Sequence, residues 1–313
     1  MITFFYDNWK DITISFIGAF FGFGLALLIE YWKNQSDKKK EKKAVNEEMN
    51  SKIEYFKILL EQTKKNSNQQ IELIKQNIEK QNENYLYPVP LKRISTNYFI
   101  RLKNIDSRGV FEALNDRFKH DADWMTKYTK LNSCLDFAES VFCEELVRIN
   151  KITLEKGYND QLYIKSLIDD TASILADKAI DKSKLLKENR HYDDEYDFIN
   201  TAILVYHELV NDKADLERLE SEFLVPLLSK IQSFEIDDYT KRVLFNSRGA
   251  RVRMNNLRND IRQTTSTYQE IIDALQKPME EIDNMIIMLS NLKKQRNKSD
   301  VSSRRQGVSG VGV

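Results

Sequence analysis

The sequence predicts an all-α fold, with one N-terminal transmembrane helix followed by a long-helix, coiled-coil-like cytoplasmic bundle. Three observations predict it. Only 9 glycines and 4 prolines occur among 313 residues, roughly half the usual glycine share and a quarter of the usual proline share, which disfavours turn-rich β folds. One uncharged apolar run, residues 12–29, is long enough to cross a hydrocarbon core. Near the other end, apolar residues alternate spacings of three and four from Met254 to Leu292, the mark of a heptad seam.

The run Ile12 to Ile29, ITISFIGAFFGFGLALLI, extends about 27 Å as a helix. Tyr6 and Trp9 on one side, and Tyr31 and Trp32 on the other, supply the aromatic flanks of two interfaces. No A-x-A-like site ends the run, which favours a retained anchor over a cleaved leader. Lys33, Lys38, Lys39, Lys40, Lys42 and Lys43 follow it, against Asp37 and Glu41. The positive-inside rule therefore predicts a bilayer partner, a short outer N-terminus and a cytoplasmic C-terminal bulk. Ser15, Gly18, Gly22 and Ala26 form one small-residue stripe on this helix. Such a stripe lets backbones approach closely in lipid, so it predicts packing between copies and a homo-oligomer.

Residues 37–84 contain neither Gly nor Pro. Met49, Ile53, Phe56, Leu60, Ile71, Ile74 and Ile78 recur at helical spacing, so a long amphipathic helix follows the lysines until Pro88 and Pro90 stop it. It either continues the membrane helix or divides near Asn66. Shorter helices fill the middle of the chain. One is expected to end at a Gly157 cap, and another to begin at Glu195 with Asp194 as its cap. The last helix carries the seam Met254, Leu257, Ile261, Thr264, Tyr268, Ile271, Leu275, Pro278, Ile282, Met285, Leu289 and Leu292. Thr264 and Pro278 interrupt its quality, and Pro278 is expected to kink it or start a new helix. The two long terminal helices are expected to pack antiparallel. The expected division is 1–32 for the N-terminal flank and transmembrane helix, and 33–90 for the basic segment and amphipathic helix. Residues 91–295 form the helical cytoplasmic domain, and 296–313 a disordered basic tail.

Catalytic constellations are absent. No G-x-x-x-x-G-K-[ST], strand-linked G-x-G-x-x-G, H-E-x-x-H or G-x-S-x-G occurs, so phosphate, zinc and acyl-transfer chemistry have no anchor. His120-Asp121 lacks the earlier histidine that a metal-dependent phosphohydrolase needs, and acidic helix-start residues account for His191 without a metal. Cys134 and Cys143, nine residues apart on one helix, point to opposite faces and read as reduced. The sequence predicts no enzyme, no catalytic residue, no cofactor and no metal site.

Lysine plus arginine total 48 and aspartate plus glutamate total 48, which excludes a globally basic nucleic-acid binder. Neutrality here is a cancellation. Residues 33–43 carry plus four, 241–262 plus six and 293–305 plus five. In the second of these, Arg248, Arg251, Arg253 and Arg258 surround Gly249, and arginines around a glycine at a helix start can hold a nucleotide or oligonucleotide phosphate. The bland alternative is pairing with the acidic region 181–222. Glu30, at the end of the apolar run, is a candidate carboxylate ring at a pore mouth, or simply an interfacial residue.

The order GAFFGFGLALLIEYWK, then KKKEKK, then a long helix beginning near EEMNSKIEYF resembles bacterial single-pass membrane-anchored helical proteins. It is also similar to channel-type effector subunits of anti-phage defence systems. The resemblance covers about residues 15–60. It implies a bacterial inner-membrane effector, an ion channel or membrane-disrupting protein controlled through its cytoplasmic domain by a ligand or a regulatory protein such as a nucleotidyltransferase. It transfers no site residue. The rival expectation is a non-conducting membrane-anchored scaffold or signalling protein.

Overall fold

The computed structural model describes the backbone of residues 2–119, 121–189 and 193–306 and the side chains of residues 19–119, 121–186 and 193–292. Every regular element among them is helical, so the protein is all-α. Helix α1 runs unbroken from Ile2 to Glu83, 82 residues and about 120 Å. The sequence leaves open whether the amphipathic helix continues the expected membrane helix or divides near Asn66, and α1 is continuous through both. No breaker lies between Lys33 and Glu83, and pairs such as Lys43–Glu47 and Lys57–Glu61 each add a few tenths of a kcal/mol. After an extended segment come α2 (Asn97–Lys103), α3 (Ser107–Phe118), α4 (Trp124–Ser140) and a π-helical turn (Val141–Glu145). Then follow α5 (Leu146–Asn189), α6 (Asp194–Asn211), α7 (Leu216–Arg218), a second π-helical turn (Leu219–Leu224), α8 (Val225–Ile231) and α9 (Asp238–Gln306).

The chain divides into two compact units. The first comprises residues 1–61, 100–128 and 288–313. Its described core joins α1 to α3 and the start of α4, where Phe56, Phe111, Phe118, Trp124 and Tyr128 form an aromatic cluster with ring centroids 5.3–6.4 Å apart. Arg117 donates to Asn46 and Asn50 at 3.1 and 3.2 Å. Asp106 caps α3 by accepting from the Gly109 N–H at 2.9 Å. That bond, with Lys52 beside it, holds the Asp106 carboxyl below its ordinary pKa.

The second unit comprises residues 62–99 and 129–287. Its core is built from α5, α6, α7, α8 and α9 with Leu86. Lys64 pairs with Asp283, and Arg262 lies 4.9 Å over the Tyr85 ring. Contacts in that reversed order make α9 antiparallel to the end of α1, as expected. On this part of α1 the buried stripe is mostly polar, with Thr63, Ser67, Gln70, Asn77 and Gln81 all under a tenth exposed beside buried Ile74. These amides hold the extended segment. Gln81 donates to the carbonyls of Asn84 and Tyr87 and accepts from Val89 N–H, Asn77 donates to the Val89 carbonyl, and Gln70 holds Lys92 and Ile94.

Several boundaries differ from expectation. Gly157 does not end a helix, because α5 passes straight through it and Pro88 packs there. Asp193, not Asp194, caps α6, accepting from Glu195 and Tyr196 N–H groups. Helix α9 contains both Gly249 and Pro278. Proline costs about 3 kcal/mol inside a helix, and here buried Leu275, Met279 and Ile282 around it offset that cost. The helix also continues past residue 295, the sequence's expected end, to Gln306, since the next glycine is Gly307. Lys213 adopts φ 55° after α6. There Lys213 N–H bonds Val210 O and Ala214 N–H bonds Leu209 O, a Schellman stop without glycine.

Candidate functional site

The arginines of α9 flank a buried stripe of Val243, Ser247, Ala250, Met254, Leu257 and Ile261. Arg251 and Arg258 both reach Glu220, at 3.2 and 2.6 Å, one on each carboxylate oxygen. Glu220 is buried in the π-helical turn. Arg253 donates to buried Asp160 on α5 at 3.2 Å and stacks 5.1 Å over Tyr163. Arg248 is exposed and has no ion pair among the described residues. Gly249 sits about three turns inside α9, so the backbone N–H groups of 246–251 serve i−4 carbonyls and offer no anion nest. Three of the four candidate phosphate ligands are therefore held by carboxylates of their own unit. Glu220 belongs to the acidic region 181–222, and Asp160 does not.

Between α5 and α9 lies a cavity of about 250 Å³. Ile149, Ile152, Leu257 and Ile261 supply apolar wall. Thr153 and Thr264 hydroxyls face each other at 3.2 Å, and the pairs Arg148–Glu145 and Lys156–Asp260 complete the lining. Thr264, the polar interruption in the heptad seam, was the sequence signal for this opening. Its charges cancel, and it contains neither histidine nor cysteine. The chemistry available is hydrogen bonding to a small polar molecule.

A second polar centre joins α5, α6 and α9. Lys178, 2% exposed, donates to Glu195, Asp237 and Thr240, while Lys182 reaches Asp193 and Glu195. Burial pushes the Asp237 carboxyl upward, but its bonds from Thr240 and Lys178 outweigh this and leave it below the ordinary value. Asp193 is lowered likewise, burial being outweighed by Lys182 and the Tyr196 and Glu195 N–H groups. All these groups are partnered, as a structural junction requires.

In the first unit, α1 exposes Phe20, Phe21, Phe23, Leu25, Leu27, Leu28, Ile29, Tyr31 and Trp32, each at least half accessible. Gly22 has no atom within 4 Å of where a Cβ would stand, and Ala26 and Glu30 are exposed. The side chains of Ser15 and of the basic tail and the surroundings of Gly18 lie outside what is described, as do His120 and His191. Among the described residues no helix is long and apolar enough to cross a membrane, and no group of His, Cys, Asp and Glu is placed to hold a metal ion. His207 is exposed on α6. Cys134 and Cys143 are free and half-buried, with burial raising the Cys134 thiol pKa.

No family model, curated protein or solved structure matches this chain.

Proposed function

We propose that the protein is a homo-oligomeric membrane effector. In this reading the apolar run lies in the bacterial inner membrane and the cytoplasmic helices respond to a ligand or partner. The observation that supports it is the apolar collar at residues 20–32, exposed on a helix that continues without interruption to Glu83. Moving nine such side chains out of water is worth on the order of 20 kcal/mol at about 2 kcal/mol each. The lysines of 33–43 would add about 1 kcal/mol apiece against anionic lipid. Packing of copies through Ser15, Gly18, Gly22 and Ala26 would form a conducting or membrane-disrupting assembly, with Glu30 at its inner mouth. The anti-phage role follows the resemblance alone. A regulatory nucleotide would find Arg248 open, the other arginines being paired.

Expression in bacteria should collapse membrane potential, and exchanging residues 12–29 for an unrelated apolar helix should abolish the effect. Gly22→Leu should reduce oligomer size in detergent, and Glu30→Gln should change ion selectivity in a planar bilayer. Unchanged potential with the chain still membrane-bound would favour the second reading, a non-conducting anchored scaffold.

A further inference from the structure

Two surfaces of the second unit complement one another. On α9, opposite the buried stripe, Lys241, Phe245, Arg248 and Val252 recur at spacings of four, three and four and all face solvent. Phe245 is 78% exposed, the highest value among the described large apolar side chains. On α6, Asp197, Thr201, Leu204 and Glu208 make an outward stripe of the same period. Leu204, 63% exposed, is the next most exposed large apolar residue of this unit. One stripe sets an apolar anchor between cations, and the other sets one between carboxylates.

We propose that the α9 stripe of one copy docks on the α6 stripe of a second copy of this chain. Cations flank Phe245 on both sides and carboxylates flank Leu204 on both sides, and with the two helices parallel Arg248, three residues past Phe245, meets Glu208, four residues past Leu204. The arginines that hold Glu220 and Asp160 lie on the inner flanks and are not needed. The contact uses two different faces, so it is heterologous. Such contacts repeat from copy to copy and close into a ring or continue as a filament. This association does not rest on the membrane reading, because it lies in the second unit whether or not residues 12–29 enter a bilayer.

The test places a photoreactive phenylalanine analogue at position 245 of the full chain in detergent, with mapping of crosslinked peptides. The expected crosslinks fall between residues 197 and 208 of another copy. Arg248→Glu alone and Glu208→Lys alone should each cut the yield about tenfold, since like charges then oppose. A mixture of the two variants should restore it, because each carries the complement of the other's altered face. Crosslinks from position 245 to α9 of another copy, or a mixture no better than its components, would overturn the proposal. So would binding of a labelled oligothymidylate that Arg248→Glu abolishes while no crosslink to α6 forms, which would assign the basic stripe to a polyanion.

Discussion

Gly157 and Pro88 approach so closely that a Cβ on Gly157 would stand 2.6 Å from Pro88 Cγ. The extended segment crosses α5 at this point, and the glycine exists to admit it. In an ordinary helix interior, alanine is favoured over glycine by about 1 kcal/mol. Here Gly157→Ala should instead destabilise by about 1–3 kcal/mol through overpacking. Chemical denaturation of Gly157→Ala, Pro88→Ala and the double variant measures the coupling. A double variant no more stable than the sum of the single effects would mean that the proline is not the obstacle.

Gln81 serves three backbone groups at once, the carbonyls of Asn84 and Tyr87 and the N–H of Val89. Gln81→Leu strands all three and should cost about 3 kcal/mol. Gln81→Glu keeps the acceptor for Val89 and loses the donor, so its melting temperature should fall between those of wild type and Gln81→Leu.

Lys213 holds a left-handed backbone conformation that costs a side-chain-bearing residue about 1 kcal/mol. Lys213→Gly should raise unfolding free energy by about that amount, since glycine occupies the Schellman position without strain. A β-branched residue there, as in Lys213→Val, should lower it, and denaturation midpoints measured in parallel give the sign of both.

Asp193 and Asp237 both titrate below their ordinary value of 3.8 in the fold. Carboxyls lowered on folding stabilise the protein above their unfolded pKa, and that stability is lost as pH falls through the folded value. Thermal stability should therefore be level above about pH 5 and decline on further acidification. Asp237→Asn should flatten the decline while keeping the acceptor for Thr240 N–H. A decline of unchanged depth in Asp237→Asn would place the acid sensitivity elsewhere.

Much of the architecture was legible because it rests on periodicity. Met254, Leu257, Ile261, Tyr268, Leu275, Ile282, Met285 and Leu289 form the buried face of α9, at the positions that alternate spacing assigns. On α1, Ile53, Phe56, Leu60 and Ile74 are likewise buried. The polar half of that face was not legible. A hydrophobic pattern treats Gln70, Asn77 and Gln81 as solvent-facing, and nothing local reveals that their partners are the backbone groups of a segment that folds back on them. Glycine misled for a related reason. Gly157 and Gly249 read as breaks, although Gly157 marks a close approach and Gly249 lies in the interior of α9. The arginine cluster was legible in part: pairing with the acidic region 181–222 holds for Arg251 and Arg258 on Glu220, whereas Asp160, the partner of Arg253, lies outside that region and far off in sequence.

The segment between α1 and α2 has no repeating hydrogen bonds of its own, yet four of its N–H groups are each held by a particular side chain. Leu86 bonds Asn84, Val89 bonds Gln81, Leu91 bonds Asn150 and Ile94 bonds Gln70. Connecting segments ordinarily absorb insertions and sequence drift. This one has no slack. One residue added just before Val89 would carry the amides of Val89, Leu91 and Ile94 past their acceptors on α1 and α5 together, so the length of this stretch is as tightly specified as the pitch of a helix.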